Sequence, residues 1–285
     1  MRLCGACAGR FVGPGWTCSA CGWTPPRDGT IHRWLAAPVN VHYDAAYFDQ
    51  FAAIAPRHFW FVSRNALLVW ALGRYAPAAR SLLEVGCGTG QVLAALRAAY
   101  PSLALAGTEA LVEGLRIAAG AVPDAELVQA DVRQLPFEAE FDAVGAFDVL
   151  EHVREDEDAL AQIVRAVRPG GMVFLTVPQH EFLWSALDEY AGHSRRYSRA
   201  SLTALLVEQG LVVERMTSFV SLLLPLMWLS RRRQQRQASM AAFQLAPALN
   251  AAGRWVMTAE RALIRGGVPM PLGGSLLAVA RRPAR

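Results

Sequence analysis

The sequence lacks any run of about 20 consecutive apolar residues, so no transmembrane helix is predicted. Its first residues do not form the apolar segment typical of a secretory signal peptide, and we therefore expect a cytoplasmic protein. Charged residues make up only 18% of the 285 residues and hydrophobic residues 53%, which excludes a disordered chain. Lysine is absent and all 28 basic residues are arginine, a bias that GC-rich coding explains without a functional cause.

The charges are unevenly distributed along the chain. From residue 214 to the end there are 11 arginines and only two acidic residues, whereas 17 arginines and 22 acidic residues precede this point. A basic C-terminal part on an acidic body indicates an anionic partner, either a membrane surface or a nucleic acid.

Cysteine is scarce, and four of the five cysteines form two Cys-x2-Cys pairs, Cys4 with Cys7 and Cys18 with Cys21. Each pair can present two thiolates from one turn, and two such turns close a tetrahedral zinc site. Two disulfides are the alternative, which a cytoplasmic location disfavours. Because four thiolates leave no open position, the zinc is expected to be structural. The segment resembles a small zinc ribbon, a unit that contacts nucleic acids or proteins.

Residues 57–285 are predicted to form one α/β domain, after the ribbon at 1–24 and a linker and lead-in segment at 25–56. From residue 81 onward, apolar strands alternate with amphipathic helices, which is the pattern of a parallel sheet. Strands are predicted at residues 81–85, 103–108, 126–130, 141–147, 172–177, 211–217 and 275–280. Helices are predicted at residues 59–72, 91–100, 160–167 and 251–265.

A glycine-rich turn follows the first strand of this domain. Gly86, Gly88 and Gly90 allow backbone conformations closed to other residues and let a ligand approach the main chain. Glu109 ends the second strand, where a carboxylate can accept both hydroxyls of a ribose, and Asp131 ends the third. Together they indicate a nucleoside cofactor at the carboxyl edge of the sheet.

The motifs at residues 84–90, 109, 129–131, 147–152 and 168–171 resemble those of class I S-adenosylmethionine-dependent methyltransferases. The resemblance implies a Rossmann-like seven-stranded sheet with an antiparallel last strand, and S-adenosylmethionine as the cofactor. The cofactor-binding residues that it implies are Glu84, Gly86, Gly88 and Gly90 for the methionine part, Glu109 for the ribose, Asp131 and Val132 for the adenine, and Asp148. A nicotinamide-binding Rossmann enzyme is the alternative, but the third glycine of its Gly-x-Gly-x-x-Gly turn is missing.

Residues 148–152 are similar to the stretch of ubiquinone O-methyltransferases in which an acid, a glutamate and a histidine can gather a divalent ion. The equivalent residues are Asp148, Glu151 and His152. Mg²⁺ at this place could lower the pKa of a phenolic acceptor. The alternative is that Glu151 and His152 cap and orient the next helix.

A polar segment follows the fifth predicted strand, beside the expected mouth of the active site. His180 and His193, together with His152, are the candidates for a catalytic base that takes a proton from an acceptor hydroxyl. The predicted substrate-binding residues are Arg195, Arg196 and Tyr197. Paired arginines can bind a carboxylate or a phosphate, but each of these residues could also belong to a satisfied surface loop.

Residues 218–274 form a long insertion between the last two predicted strands, where a short hairpin would suffice. Its apolar start at 219–229 precedes an arginine-rich stretch at 231–236, a composition typical of an interfacial membrane anchor. The sixth strand is parallel to the others, so the insertion leaves the sheet on the cofactor side. An ordinary lid or a dimer interface is the alternative.

These observations predict S-adenosylmethionine-dependent methyl transfer to a small-molecule or lipid-like acceptor, at or near the inner face of the cytoplasmic membrane. The first alternative is an RNA methyltransferase that holds RNA with its ribbon and C-terminal arginines. The acidic body and the apolar neighbours of those arginines disfavour it. The second alternative is a cofactor-binding scaffold that recruits a partner through the ribbon, which the intact cofactor motifs disfavour.

Overall fold

A computed structural model describes residues 1–13, 15–34, 45–233 and 243–284 of the protein. The strands are β1 (Arg2–Leu3), β2 (Arg10–Phe11), β3 (Arg27–Asp28), β4 (Ile31–Arg33), β5 (Ser81–Val85), β6 (Ala104–Glu109), β7 (Glu126–Gln129), β8 (Phe141–Phe147), β9 (Val167–Pro178), β10 (Val212–Phe219) and β11 (Ser275–Arg281). The α-helices are α1 (Ala45–Ile54), α2 (Phe59–Tyr75), α3 (Gln91–Ala99), α4 (Val112–Ala121), α5 (Asp156–Ala166), α6 (Ala186–Tyr190), α7 (Arg199–Glu208), α8 (Leu224–Arg233) and α9 (Pro247–Arg265).

The larger sheet has the strand order β10-β11-β9-β8-β5-β6-β7-β4-β3. Strands β5 to β9 are parallel to one another, whereas β11 is antiparallel to both β9 and β10. All seven strands predicted for the α/β domain are present, and the last is antiparallel, as the resemblance implied. The fold is therefore the predicted Rossmann-like class I methyltransferase fold.

Helices cover both faces of this sheet, as a mainly parallel sheet requires. Successive strand residues point to opposite faces, so Leu82 packs in the cluster that contains α2, α3, α4 and α9 residues, whereas Leu83 packs with α5 and α7 residues. Both side chains are fully buried. Because helices cover both faces of the sheet, a ligand is expected at the carboxyl ends of the central strands.

The segment predicted as a linker contributes to the sheet, which corrects its assignment. Strand β4 pairs in parallel with β7, and β3 pairs antiparallel with β4. The larger sheet therefore has nine strands in the described residues instead of the seven expected. Residues 35–44, also assigned to the linker and lead-in segment, lie outside the described residues.

The motif at 168–171 lies within a strand, whereas the sequence placed it between a predicted helix at 160–167 and a predicted strand at 172–177. Helix α5 ends at Ala166, and β9 begins at the next residue and runs through the motif. Gly170 has a φ of +80°, and its N–H donates to the carbonyl oxygen of Arg282. The pairing of β9 with β8 is irregular over these residues, and Gly170 and Gly171 bond instead to Arg282 in the chain after β11.

The insertion contains α8 and α9, which confirms the prediction of a helical insertion before the last strand. Helix α9 packs closely on α2, since a Cβ at Gly253 would lie 2.7 Å from the ring of Phe59. Glu260 on α9 accepts hydrogen bonds from the N–H groups of residues 220, 221 and 222, and so fixes the start of the insertion. None of the helices within the described ranges is long and apolar enough to cross a membrane. Part of the predicted arginine-rich stretch, 234–236, lies outside the described residues.

Candidate active site

A cleft of about 880 Å³ opens at the carboxyl ends of β5, β6, β7 and β8. Ligands of open α/β sheets bind at this edge. The predicted site residues that line the cleft are Glu84, Gly86, Gly88, Glu109, Asp131, Val132, Asp148, His152 and His193. The structure therefore brings together both the cofactor-type residues and two of the three candidate bases.

The glycine-rich turn between β5 and α3 forms the floor of the cleft. Gly86 has a φ of +68°, and a Cβ there would lie 2.5 Å from Cγ2 of Val149. Gly88 has a φ of +51°, but a Cβ there would meet nothing within 4 Å. Gly86 is therefore required by packing, whereas Gly88 borders open space that a ligand can occupy. Gly90 does not line the cleft, and it precedes α3 as its N-cap residue.

The Glu109 carboxylate accepts hydrogen bonds from the glycine-rich turn and from the residues that follow β6. Oε2 accepts a hydrogen bond from the N–H of Gly88 at 3.1 Å, and Oε1 accepts from Ala110 at 2.8 Å and Leu111 at 3.2 Å. Burial raises the pKa of Glu109, although these N–H groups oppose the effect. A carboxylate has about four acceptor sites, so Glu109 can still accept from the hydroxyls of a ribose.

Asp131 follows β7, and hydrogen bonds from Arg133 fix its carboxylate. Its Oδ1 accepts from the backbone N–H of Arg133 at 2.8 Å and from its Nε at 3.0 Å. Burial would raise the pKa of Asp131, but the hydrogen bonds and charge of Arg133 lower it overall. The carboxylate is therefore ionised and oriented beside Val132 at the adenine end of the predicted cofactor site.

Glu84 is the most buried carboxyl group that lines the cleft. It is 3% exposed, and its Oε2 has no hydrogen-bond partner among the described residues. Burial raises the pKa of Glu84 to about 8, against the effect of the Arg64 guanidinium. An unpartnered buried carboxyl oxygen at the cleft fits a ligand amine, which agrees with the methionine end of S-adenosylmethionine.

The structure gives the possible magnesium site a ligand set that differs from the expected Asp148, Glu151 and His152. The Asp148 carboxylate forms an ion pair with Arg64 at 2.6 Å and is not available as the acid of that site. The described residues instead group Glu151, His152 and His193, with one ligand atom of each within 4.8 Å of the others. Mg²⁺ prefers oxygen ligands, and this group offers two imidazoles and one carboxylate. The residues therefore do not fit magnesium.

His193 is oriented by a buried carboxylate. Its Nδ1 lies 2.9 Å from Oδ1 of Asp188, a residue only 1% exposed. Burial alone would raise the pKa of Asp188, but the hydrogen bond from His193 and the charges of Arg196 and Arg231 hold it below its usual range. Because an ionised carboxylate only accepts hydrogen bonds, Nδ1 of His193 carries the hydrogen. Nε2 then keeps its lone pair and can accept a proton.

The remaining predicted catalytic and substrate-binding residues do not line the cleft, as far as the described residues define it. His180 packs against the ring of Phe182 at 5.0 Å, and burial lowers its pKa. Arg195 forms an ion pair with Asp156, and the Tyr197 hydroxyl donates to the same carboxylate at 2.7 Å. Arg196 binds Asp188 at 2.7 Å. Arg195, Arg196 and Tyr197 are thus each bound by a carboxylate, and their direct binding of a substrate stays a prediction.

An aromatic wall of the cleft was not predicted as part of the site. Its members are Tyr47 and Phe51 on α1, Phe61 on α2, and Trp184. The rings of Tyr47 and Phe51 stack with centroids 6.1 Å apart, and Phe51 meets Phe61 edge to face at 4.9 Å. The i, i+4 spacing of Tyr47 and Phe51 is a helix-face signal that could have found it. The wall suits a flat or apolar acceptor.

The four paired cysteines lie together in the N-terminal module, defined as residues 1–13 and 15–34. Cys4 Sγ lies 3.6 Å from Cys21 Sγ, and Cys7 Sγ lies 3.8 Å from Cys18 Sγ. A disulfide requires about 2.05 Å, whereas a tetrahedral zinc ion with bonds of about 2.3 Å requires sulfurs about 3.8 Å apart. The cluster therefore fits zinc and not disulfides.

Comparisons with known proteins agree with this geometry. Residues 56–215 match the family model described as "Methyltransferase domain". The chain is 30% identical over 102 residues to a trans-aconitate 2-methyltransferase from Azoarcus sp. strain BH72, covering 36% of this chain and 40% of that protein. It is 30% identical over 149 residues to a ubiquinone biosynthesis O-methyltransferase from Thiobacillus denitrificans, covering 47% of this chain and 62% of that protein. The chain thus spans less than two thirds of the length of both relatives.

Solved structures share the fold. Phosphoethanolamine N-methyltransferase 2 from Haemonchus contortus, in complex with S-adenosyl-L-methionine, aligns with a TM-score of 0.57 and 16% identity, covering 86% of this chain and 58% of that chain. An O-methyltransferase family protein from Burkholderia thailandensis aligns with a TM-score of 0.52 and 14% identity, covering 84% and 59% of the two chains. The family match extends over more than half of the chain, and the chain therefore belongs to the methyltransferase-domain family.

Proposed function

We propose that the protein transfers a methyl group from S-adenosylmethionine to a hydroxyl of a small, aromatic or lipid-like acceptor at a membrane surface. The observation that carries this proposal is one cleft lined by two chemically different sets of residues. Glu109 and Asp131 suit a nucleoside cofactor, and His193 suits deprotonation of an acceptor. Relatives named for trans-aconitate and ubiquinone support a small-molecule acceptor.

When bound, S-adenosylmethionine supplies a methyl group that its sulfonium already activates, so the protein mainly aligns the two reactants. Glu109 would hold the ribose, Asp131 and Val132 the adenine, and Glu84 the methionine amine. The aromatic wall would hold the acceptor and exclude water. Nε2 of His193 would take the hydroxyl proton, while Asp188 keeps the imidazole in the required tautomer.

The protonation of Glu84 gives a test of the cofactor pose. In the free protein, a pKa of about 8 keeps Glu84 neutral at pH 7. A bound ammonium group favours the carboxylate, so cofactor binding should release one proton below pH 8, and the affinity should rise by up to about tenfold per pH unit toward that value. Titration calorimetry in buffers of different ionisation enthalpy measures this proton. Glu84→Gln should abolish the release, and wild-type binding without proton exchange would contradict the pose.

The membrane part of the proposal depends on α8 and the residues around it. Leu226 is 65% exposed, Leu222 47% and Leu229 41%, and Arg232 lies over the ring of Trp228 with its guanidinium carbon 4.0 Å from the centroid. Apolar side chains beside arginines match the anionic surface of a membrane. Because Arg231 on the same helix binds Asp188 at 2.7 Å, this surface adjoins the proposed base.

Vesicle binding tests the role of α8. Replacing Leu226 by aspartate should weaken binding to phosphatidylglycerol-containing vesicles about tenfold or more, because it removes an apolar anchor and adds a repelled charge. Val207→Asp is the matched control, since Val207 on α7 is similarly exposed at 57% and should not affect binding. Cosedimentation measures both. Equal loss in the two variants, or none in Leu226→Asp, would refute docking through α8.

The acceptor class can be identified with radiolabelled S-adenosylmethionine and a lysate of the source organism. Label transferred to the organic phase by the wild type, but not by Glu109→Ala, is the expected result. Label in ribonuclease-sensitive material would replace the lipid-like acceptor by RNA. Label in small polar compounds would keep methyl transfer and remove the membrane from the proposal. The absence of any protein-dependent label would contradict methyl transfer itself.

We also propose that the cysteine cluster holds a structural zinc ion. The sulfur separations of 3.6 and 3.8 Å support it. With four thiolate ligands the ion would have no open position, so its contribution would be to fold the N-terminal module. Metal analysis of the purified protein should find one zinc per chain, and substitution of Cys4 by serine should remove it.

A further inference from the structure

The N-terminal module is joined to the edge of the methyltransferase sheet by backbone pairing. In the parallel pair of β4 and β7, His32 lies opposite Val128 and Arg33 opposite Gln129. Without the module, β7 would be an edge strand with an unpaired row of backbone groups. The module therefore covers the strand that leads into the adenine end of the cleft.

A buried ion-pair cluster reinforces this contact at the first residue of β7. The Arg2 guanidinium donates to both oxygens of Glu126, at 2.7 and 2.8 Å, and to Glu140 at 2.8 Å. Trp16 donates from Nε1 to Glu126 at 2.7 Å and packs against Arg2, whose guanidinium carbon lies 4.4 Å from its ring centroid. Arg2 is only 6% exposed, so the loss of this arrangement would leave buried charges unpaired.

Two of the clustered cysteines lie close in the sequence to these two side chains. Cys4 lies two residues after Arg2, and Cys18 lies two residues after Trp16. The module's own apolar core consists of little more than Phe11, Trp23 and the two buried cysteines. Such a small core does not fold a segment by itself, and a metal normally supplies the missing free energy.

The other end of β7 is connected to the cofactor site. Arg33 donates from Nε to Oε1 of Gln129 at 3.0 Å, and Gln129 donates from Nε2 to the carbonyl oxygen of Ala110 at 3.0 Å. The N–H of Ala130 donates to the carbonyl oxygen of Glu109 at 3.1 Å. Ala110 and Ala130 line the cleft. A continuous set of hydrogen bonds thus joins the module to the turn that carries Glu109.

We infer that the metal-loaded N-terminal module is a working part of the cofactor site, in which Arg33 and Gln129 are positioning residues for the Glu109 turn. The inference rests on the proposed cofactor and zinc ion. It assigns the module a role in nucleoside binding that needs no contact between the module and the ligand. Loss of the metal should therefore weaken cofactor binding while the α/β domain stays folded.

Metal removal tests this inference without knowledge of the acceptor. The full-length protein is purified with its metal, stripped with a chelator and reconstituted with Zn²⁺, and each form is titrated with S-adenosylhomocysteine by calorimetry. We expect about tenfold weaker binding in the stripped form and recovery on reconstitution. Equal affinity in a stripped form whose far-UV circular dichroism is native would overturn the inference. If the protein holds no metal and takes up no Zn²⁺, the zinc proposal is refuted, and the inference that depends on it is refuted as well. Failure of the metal-loaded form to bind the ligand would instead refute the proposed cofactor.

Variants of the sheet edge test the positioning role while the metal is in place. Arg33→Ala should raise the dissociation constant of S-adenosylhomocysteine about fivefold, the equivalent of one hydrogen bond. Arg33→Lys keeps a hydrogen-bond donor and should therefore raise the dissociation constant less than Arg33→Ala does. Arg27→Ala is the matched control, because Arg27 is an exposed arginine on β3 that pairs with β4 and not with β7. Equal effects of Arg33→Ala and Arg27→Ala, or an Arg33→Ala effect on melting temperature alone, would overturn the positioning role.

Discussion

Replacing Glu109 by alanine should raise the dissociation constant of S-adenosylhomocysteine about 100-fold and abolish methyl transfer. The carboxylate is the proposed acceptor for the ribose hydroxyls, and two charge-assisted hydrogen bonds are worth about 3 kcal/mol together. The substitution also leaves the N–H groups of Gly88, Ala110 and Leu111 without their partner, which loosens the turn. Calorimetric titration of the folded variant measures the effect.

Two further variants separate ligand binding from general loss of structure. Glu109→Gln keeps one acceptor oxygen and should retain part of the affinity. Asp124→Ala removes an exposed acid that follows α4 and pairs with Arg97, outside the cleft, and should bind like the wild type. Wild-type affinity in a folded Glu109→Ala protein would contradict the assignment of the ribose site.

Replacing His193 by alanine should lower the rate of methyl transfer about 100- to 10,000-fold, the range expected when a general base is lost. The affinity for S-adenosylhomocysteine should stay unchanged, because His193 is proposed to act on the acceptor and not on the cofactor. The measurement is the single-turnover rate with the acceptor fraction obtained from the lysate. A parallel fall in rate and cofactor affinity would indicate a structural role instead.

His180 provides the matched control for His193. Both histidines belong to the same polar segment and were equal candidates in the sequence, but only His193 lines the cleft. His180→Ala should therefore keep most of the activity. Asp188→Asn should lower the rate as well, since an amide can donate to Nδ1 and favour the wrong tautomer of His193. A larger loss in His180→Ala than in His193→Ala would reverse the assignment.

The fold could be predicted largely because its signals are local. Strands β5 and β8 have the bounds that the apolar runs predicted, and the other five strands of the α/β domain differ by a few residues. Strands β3 and β4 were missed because each has at most three residues and neither has a periodicity of its own. Strand β4 forms by pairing with β7, and β3 forms by pairing with β4. The start of β9 was missed for a related reason, because Gly170 pairs with the chain beyond β11.

The cofactor-binding residues and the proposed acceptor-binding residues also differ in how well the sequence predicted them. Glu84, Gly86, Glu109 and Asp131 each stand at the end of a strand or in the turn after it, so one strand and the turn that follows it place each of them. The proposed acceptor-binding residues come from α1, α2, Trp184 and the segment that carries His193, whose mutual positions no local pattern encodes. The choice among His152, His180 and His193, and the burial of Arg196, therefore depended on packing between distant segments.

The sequence by itself determined the α/β fold, the cofactor edge of the sheet and the pairing of the four cysteines, because short-range stereochemistry and spacing decide these features. Only the tertiary structure decided that Asp188 binds His193, Arg196 and Arg231 at once. Likewise, only the tertiary structure showed that the N-terminal module pairs with β7 through β4, a segment that the sequence assigned to a linker. Both depend on contacts between residues far apart in the chain, where burial and the pairing of charges select one partner among several that the sequence allows.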